Sequence, residues 1–256
     1  MNKMLEIENV SLQFGGVKAL DNVSFHINEG EIFSLIGPNG AGKTSMLNCI
    51  SGLYSPSNGT IRFKGQEILT IKPYKRTTLG IARAFQNIAL FAHMSVLDNL
   101  KLGRHTLMKS GLLKGGLYWG AAEKEEVEHR QAVEEVIDFL QLQEIRHTPV
   151  DKLPYGLQKR VEVGRALALE PELILLDEPM AGMNSSEKEE MSRFILDMHE
   201  LMNITVVLIE HDLGVVMNLS DNIAVLDFGK QIGFGTPTEI QNNPDVIKAY
   251  IGEEVS

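Results

Sequence analysis

Eight consecutive residues, GPNGAGKT from Gly37 to Thr44, have the types and spacing needed to bind phosphate. They fit the pattern G-x-x-x-x-G-K-[ST], in which glycines let the backbone approach phosphate oxygens and N–H groups form an anion nest. In such a loop Lys43 contacts the β- and γ-phosphates, and the Thr44 hydroxyl ligates Mg²⁺. The alternative is a plain Gly-rich turn between a strand and a helix. From average residue usage, the pattern arises by chance in roughly one chain in a hundred of this length. The stretch therefore predicts a nucleotide site.

Two adjacent acids, Asp177 and Glu178, follow the apolar run LILL. A protein with a phosphate loop keeps a second Mg²⁺-associated acid at the end of such a strand, which is the role predicted for Asp177. Successive strand residues point to opposite sides, so Glu178 is expected to face away from Asp177 and to serve as a general base toward water. The alternative for the pair alone is a solvated acidic strand end.

The elements that must position these residues follow from short apolar runs. EIFSLI, LILLD, TVVLIEH and NIAVLDFGK, separated by helical segments, predict a parallel α/β sheet. KTSMLNCISGL predicts a helix after the phosphate loop, ended near Gly52. Before position 65, LEIENVSLQF, NVSFHI and TIRFKG predict further strands.

The middle of the chain is predicted to be mostly helical. Ser95 is a candidate N-cap with Asp98 three residues on, and a later helix has apolar residues near helical spacing at Val127, Val133, Val136, Ile137 and Leu140. The predicted fold class is α/β, a P-loop NTPase core with a parallel sheet, an N-terminal antiparallel β subdomain and an inserted helical subdomain. The expected division is about 1–87 and 169–256 for the core and about 88–168 for the helical part.

Composition narrows the function classes. The net charge of −10 disfavours a nucleic-acid-binding surface. The single cysteine, Cys49, excludes an internal disulfide and favours a reducing compartment. The apolar runs are far shorter than the roughly 20 residues of a membrane helix, and the first residues show no signal peptide. A soluble cytosolic chain is expected.

Taken together, the motifs resemble the ATPase subunit of an ATP-binding cassette (ABC) transporter over nearly the whole chain and in the family's order. RAFQN places Gln86 at the family's Q-loop glutamine, IEHD places His211 at its switch histidine, and LQFGGVKAL places Phe14 where a ring stacks on adenine. The implied ligands are ATP and Mg²⁺. The implied ATP-binding residues are Phe14, Val17, Gly37, Pro38, Asn39, Gly40, Ala41, Gly42, Lys43, Thr44 and Ser45.

The resemblance also implies the catalytic roles. Glu178 is the general base, His211 orients the γ-phosphate and the attacking water, and Gln86 contacts Mg²⁺ and links the site to the helical insertion. The implied metal-binding residues are Thr44, Gln86 and Asp177, the last directly or through water. Taken singly, each minor motif has an ordinary alternative, namely a core aromatic, a surface amide or a solvated histidine.

Two departures from the family pattern stand in LPYGLQKRVEVGRAL and AGMN. The signature loop, usually Leu-Ser-Gly-Gly-Gln, has Tyr155 in place of the serine, which puts a hydroxyl contact to the γ-phosphate in doubt; its residues here are Tyr155, Gly156, Leu157 and Gln158. The D-loop, which usually ends in aspartate, ends in Asn184. This tyrosine, an insertion at 103–131 and the ending NNPDVIKAYIGEE resemble the ATPases of branched-chain amino-acid importers. Urea and lipopolysaccharide transport remain open.

The implied partners follow from a site split between two chains. A second ABC ATPase, of the same or a different chain, supplies the signature loop, so the ATP-bound form is a dimer. Membrane permease subunits dock near Gln86, an extracytoplasmic substrate-binding protein acts indirectly, and the chain is cytoplasmic, peripheral on the inner face of the membrane. GLLKGGLYWG, with Trp119, could contact the permease or the membrane, or fold onto the domain. The alternatives are a soluble non-transport ABC ATPase, a P-loop kinase or GTPase, and a module that does not hydrolyse nucleotide.

Overall fold

The computed structural model describes residues 2–86, 88–104, 107 and 119–251. Its strands are β1 (Lys3–Phe14), β2 (Val17–Asn28), β3 (Ile32–Ile36), β4 (Asn58–Phe63), β5 (Gln66–Glu67), β6 (Ile81–Ala84), β7 (Leu173–Asp177), β8 (Thr205–Ile209), β9 (Asn222–Asp227) and β10 (Lys230–Gly235). Its helices are α1 (Lys43–Ser51), α2 (Pro73–Thr78), α3 (Val96–Arg104), α4 (Trp119–Phe139), α5 (Tyr155–Leu167), α6 (Ser185–Met202), α7 (Leu213–Leu219), α8 (Pro237–Gln241) and α9 (Pro244–Ile251).

The larger of the two sheets in the described part of the chain has the strand order β10-β9-β3-β8-β7-β6. Its strands from β9 to β6 are parallel. Every residue of β3, β7 and β8 is buried, as expected for parallel strands covered on both faces. The predicted α/β fold class is confirmed. The antiparallel edge strand β10 was not predicted from NIAVLDFGK, where Phe228 and Gly229 both adopt positive φ and turn the chain back.

The second sheet is antiparallel, with the order β2-β1-β4-β5. It packs on one face of the larger sheet, and helices α3 to α6 pack on the other. Successive side chains of β7 point to opposite faces of the sheet and so contribute to both hydrophobic cores. Leu173 and Leu175 pack in the cluster under the antiparallel sheet, while Ile174 and Leu176 pack in the cluster under the helices. Cys49 lies fully buried in the first cluster, and burial raises its thiol pKa to about 12.

Helices α3, α4 and α5 are inserted between β6 and β7. Ser95 accepts a hydrogen bond from the Asp98 N–H at 3.1 Å, as the capping pattern predicts. Val127 departs from its predicted core position, because its place on α4 leaves it 57% exposed. The subdomain division at about 88 and 168 stays a prediction. Residues 105–106 and 108–118 of the 103–131 insertion, which include most of GLLKGGLYWG, lie outside the described residues, as does the side chain of Trp119. None of the described helices is both long and apolar enough to cross a membrane.

Candidate functional site

The candidate site lies where parallel strands end at one edge of the larger sheet. β3 leads into the phosphate loop at Gly37, and β6, β7 and β8 lead toward Gln86, Glu178 and His211. Ligands of open α/β sheets bind at this carboxyl edge. A cavity of about 300 Å³ opens there, with walls formed by Ala19, residues 39–45, Gln86, Glu178 and His211. Tertiary structure thus gathers residues that are up to 192 positions apart, since Ala19 and His211 line the same cavity.

The phosphate loop wraps around its own lysine. Lys43 is buried, and its ammonium donates to the carbonyl oxygens of Gly37, at 2.6 Å, and Pro38, at 2.9 Å. It is also the first residue of α1, whose N-cap is Gly42 at φ 103°, and no described side chain caps this helix. The uncapped N–H groups and the positive end of the helix dipole therefore face the cavity together with the ammonium, an arrangement suited to phosphate.

Two glycines of the phosphate loop tolerate a side chain very differently, although Gly37 and Gly40 both have positive φ, at 144° and 78°. A Cβ on Gly37 would lie 2.0 Å from the Leu226 carbonyl oxygen, whereas a Cβ on Gly40 would have nothing within 4 Å. We expect Gly40→Ala to lower the free energy of unfolding by about 1–2 kcal/mol, from left-handed strain alone. Gly37→Ala should lower it by about 3–5 kcal/mol, since β9 must also move. Urea unfolding without nucleotide measures both; equal losses would contradict the packing argument.

Glu178 is held between the two other predicted catalytic residues. Its Oε2 accepts from the Gln86 side-chain amide at 2.8 Å, and its Oε1 lies 2.7 Å from His211 Nε2, whose N–H donates to it. Its backbone is left-handed at φ 52°, and its N–H donates to the Ile209 carbonyl at 2.9 Å. A left-handed non-glycine costs about 1–2 kcal/mol. Such strain concentrates at functional sites, and here it turns the carboxylate out of the strand and into the cavity.

Asp177, one residue earlier, is buried beneath the site rather than on its wall. One carboxylate oxygen, Oδ2, accepts from Arg83 Nη2 at 2.7 Å, while Oδ1 is buried with no hydrogen-bond partner among the described residues. A buried oxygen with an open lone pair fits a metal or metal-bound water. The Thr44 hydroxyl and the Gln86 amide oxygen are further hard donors of the kind Mg²⁺ prefers. The donor set therefore fits Mg²⁺.

The adenine-side residues are not part of the cavity wall. Phe14 is half-exposed at the end of β1 and meets Tyr54 edge-to-face, with ring centroids 5.0 Å apart. Val17, which pairs with Phe14 across the β1–β2 turn, is 70% exposed. Both side chains are accessible, and their adenine role stays a prediction.

The signature loop, residues 155–158, packs against the D-loop of its own chain instead of lining the cavity. A Cβ on Gly182 would lie 3.1 Å from the Tyr155 ring, and one on Gly156 would lie 2.5 Å from Glu187. The Gln158 amide donates to the Leu153 carbonyl at 2.8 Å. Burial, then the charges of Glu162 and Glu178, raises the pKa of Tyr155, so the phenol stays protonated at neutral pH. The cavity of one chain thus lacks the loop predicted to close it.

Asn184 has a structural role at the start of α6. Its side chain accepts from the Glu187 N–H at 3.0 Å, and Glu187 accepts from the Asn184 N–H at 2.9 Å, which completes a capping box. Because Asn and Asp cap helices about equally well, the departure from aspartate costs little here. Its D-loop contact to a partner stays a prediction.

Sequence reasoning missed several residues that shape the site. Ala19 lines the cavity. Buried Lys159 on α5 donates to the Phe85 and Gln86 carbonyls, and so ties the Q-loop to the signature helix. Glu210 accepts from the N–H groups of Met180 and His211, and burial raises its pKa. All three lie within the motifs LQFGGVKAL, LPYGLQKRVEVGRAL and IEHD, but the motifs do not indicate these contacts.

A phosphate loop at the carboxyl edge of a parallel sheet, with a carboxylate held beside it, defines a P-loop nucleotide hydrolase. The family model for ABC transporters matches residues 20–181, and the model for branched-chain amino acid ATP-binding cassette transporters matches residues 230–256. The chain therefore belongs to the ABC transporter family, as an ATP-binding and ATP-hydrolysing subunit.

Similar proteins agree with this membership. The chain is 39% identical over 250 residues to the high-affinity branched-chain amino acid transport ATP-binding protein LivG of Salmonella typhimurium, covering 98% of each chain. The crystal structure of the ADP conformation of MJ1267, an ATP-binding cassette of an ABC transporter, superimposes with a TM-score of 0.85 at 33% identity, covering 98% of this chain and 100% of that one. The dimeric structure of MJ0796, a bacterial ABC transporter cassette, gives 0.78 at 26% identity, covering 91% and 99%.

Proposed function

We propose that this chain is the ATP-hydrolysing subunit of a branched-chain amino acid importer, acting from the cytoplasmic face of the membrane. The observation that carries hydrolysis is the position of Glu178, fixed by Gln86 and His211 beside the phosphate loop. The transported substrate class rests on the relatives and on the C-terminal match at residues 230–256.

The residues of the cavity divide the chemistry between them. Lys43 and the N-terminus of α1 bind the β- and γ-phosphates. Thr44, Gln86 and Asp177 would hold Mg²⁺, which when bound neutralises phosphate oxygens. Glu178 takes the proton of the attacking water, and His211 orients that water and the γ-phosphate. Gln86 can serve both ends of the site, because its amide nitrogen donates to Glu178 while its amide oxygen is an acceptor of the kind that binds a cation.

Closure of the site requires a second ATPase. In one chain the signature loop lies against its own D-loop and not on the cavity wall. α5 begins at Tyr155 behind Pro154, and no described side chain caps it. Its first N–H groups are therefore suited to the γ-phosphate bound by a partner. ATP contacts both chains only in the closed dimer, and hydrolysis removes that preference.

The mass of the Glu178→Gln variant in solution tests this arrangement. We expect a dimer in the presence of ATP and Mg²⁺, because bound ATP is not consumed and bridges both chains. We expect a monomer after EDTA or in the variant that also carries Lys43→Met. Light scattering behind size-exclusion chromatography distinguishes the two states. A monomer that binds Mg²⁺–ATP fully would contradict self-closure and direct the search to a different second ATPase.

The permease is proposed to dock in a groove beside the Q-loop, here called the docking groove. It is a cavity of about 340 Å³ between α2, the start of the Q-loop and α3, and its apolar walls include Tyr74, Phe85, Phe91 and Leu102. Three of these side chains are well exposed: Tyr74 at 56%, Phe91 at 53% and Leu102 at 37%. An amphipathic helix of a permease loop, from a complex that also recruits an extracytoplasmic substrate-binding protein, would cover these side chains.

A charged side chain introduced into the docking groove should weaken assembly with the permease and leave ATP binding intact. Leu102→Asp is expected to reduce permease recovery in a tagged pull-down by about tenfold or more, because docking would bury an unpaired carboxylate. ATP binding should be unchanged. Leu201→Asp, on an exposed leucine of α6 (75% exposed), is the matched control and should retain full recovery. Equal recovery by both variants would place the permease elsewhere.

A further inference from the structure

Arg83 lies on β6 beside the acid-bearing end of β7, where it pairs across the sheet with Leu175. Its side chain is 6% exposed and that of Asp177 is 1% exposed, so their 2.7 Å contact is a buried ion pair. A buried carboxylate without a partner is very costly, and a guanidinium supplies that partner in a fixed geometry. Arg83 is the first residue of RAFQN, the motif in which only Gln86 was predicted to have a role.

The guanidinium is itself held from several directions. Nη1 donates to Asn48 Oδ1 at 2.7 Å and to Ser51 Oγ at 3.1 Å, both on the helix that follows the phosphate loop. Its Cζ lies 4.8 Å from the centroid of the Phe85 ring. Arg83 therefore links three elements that carry the site, α1, the end of β7 and the start of the Q-loop, through one rigid planar group.

The two carboxylate oxygens of Asp177 have different surroundings. Arg83 occupies Oδ2, whereas Oδ1 is buried and has no hydrogen-bond partner among the described residues. With one oxygen fixed, the rotamer of the carboxylate is fixed, and the other oxygen keeps a constant direction. Partners in a second shell of this kind orient metal ligands and usually change metal affinity by 10- to 100-fold when removed.

We propose that Arg83 is a positioning residue for the metal side of the site: by holding Asp177 Oδ2 it presents Oδ1 to Mg²⁺ or to a water bound to it. The proposal rests on the proposed function for the presence of Mg²⁺–ATP. Arg83 is not among the residues that line the cavity. Its removal should weaken the gain in ATP affinity that Mg²⁺ provides, and should leave metal-free ATP binding nearly unchanged.

The test compares ATP affinity with Mg²⁺ and with EDTA, by calorimetric titration in the non-hydrolysing Glu178→Gln background. Arg83→Met should reduce the Mg²⁺-dependent gain by about tenfold or more, with metal-free affinity changed by less than about twofold. Arg83→Lys keeps the charge but cannot reach both Asp177 and α1, so a smaller loss in the same direction is expected. It also serves as the test variant if Arg83→Met does not fold.

Arg104→Met is the matched control. It removes a buried arginine that pairs with Glu170 at 2.8 Å, away from the cavity, and it should keep the full Mg²⁺ gain. An unchanged gain in a folded Arg83 variant would overturn the proposal. So would equal losses with and without Mg²⁺, or the same loss in Arg104→Met. If the Glu178→Gln parent bound no ATP at all, the proposed function itself would fail, which is a separate result.

Discussion

Glu178→Gln is expected to reduce ATP turnover by roughly 10²- to 10⁴-fold, the range that a positioned general base contributes. The amide keeps the shape of the side chain but cannot accept the proton of the attacking water. Gln86 Nε2 and His211 Nε2 lie 2.8 Å and 2.7 Å from the carboxylate oxygens of Glu178. Since the glutamine occupies the same place between them, the substitution should reduce turnover rather than ATP binding. ATP affinity should change by less than about threefold. Phosphate release and nucleotide titration measure the two quantities.

The matched control for this variant is Glu172→Gln, just before the opposite end of β7. Glu172 is about half-exposed, pairs with Lys64 in the turn after β4, and is not among the residues that line the cavity. It should keep turnover within about twofold, since exposed ion pairs contribute little. If Glu178→Gln kept substantial turnover, the base would have to be another group, and Glu210, the buried neighbour of His211, would be the next to test.

Lys43→Met is expected to weaken ATP binding by about 100-fold and to abolish turnover with it. The side chain is buried within the phosphate loop, and its ammonium is positioned by the carbonyls of Gly37 and Pro38. Methionine fills similar space without the charge. The lost interaction with phosphate is charge-assisted, and two such hydrogen bonds account for about 3 kcal/mol, or roughly 100-fold. Equilibrium binding of a fluorescent ATP analogue measures the change.

Lys18→Met is the control that distinguishes the direct contact of Lys43 with phosphate from a general effect of positive charge near the cavity. Lys18 lies one residue from Ala19, a wall residue of the cavity, but its ammonium is exposed and pairs with Asp21 at 3.1 Å. It should bind ATP within about twofold of the parent, because exposed charges are screened by salt. A similar loss in both variants would mean that net positive charge, rather than the phosphate loop geometry, governs binding.

The sequence alone determined the class and most of the contacts that are local along the chain. The phosphate loop is a contiguous segment, so its glycines, lysine and following helix could be predicted from spacing. The apolar runs predicted β3, β7 and β8, because a strand buried on both faces must be apolar throughout. The hairpin of β9 and β10 was not predicted. Its turn places a large apolar residue, Phe228, at positive φ, and the residue types in this segment do not indicate such a turn.

Only the tertiary structure decided which distant groups meet. The Glu178 carboxylate is held by residues 92 and 33 positions away, and Arg83 reaches Asp177 across 94. Parallel strands bring such positions to one edge whatever lies between them, so no local pattern encodes the pairing. The packing of Tyr155 on Gly182, which keeps the signature loop off its own cavity, likewise depends on how α5 and the start of α6 lie against each other. Sequence determines residue types and local geometry, whereas the partner of each buried charge is set by the packing of elements that the chain connects only distantly.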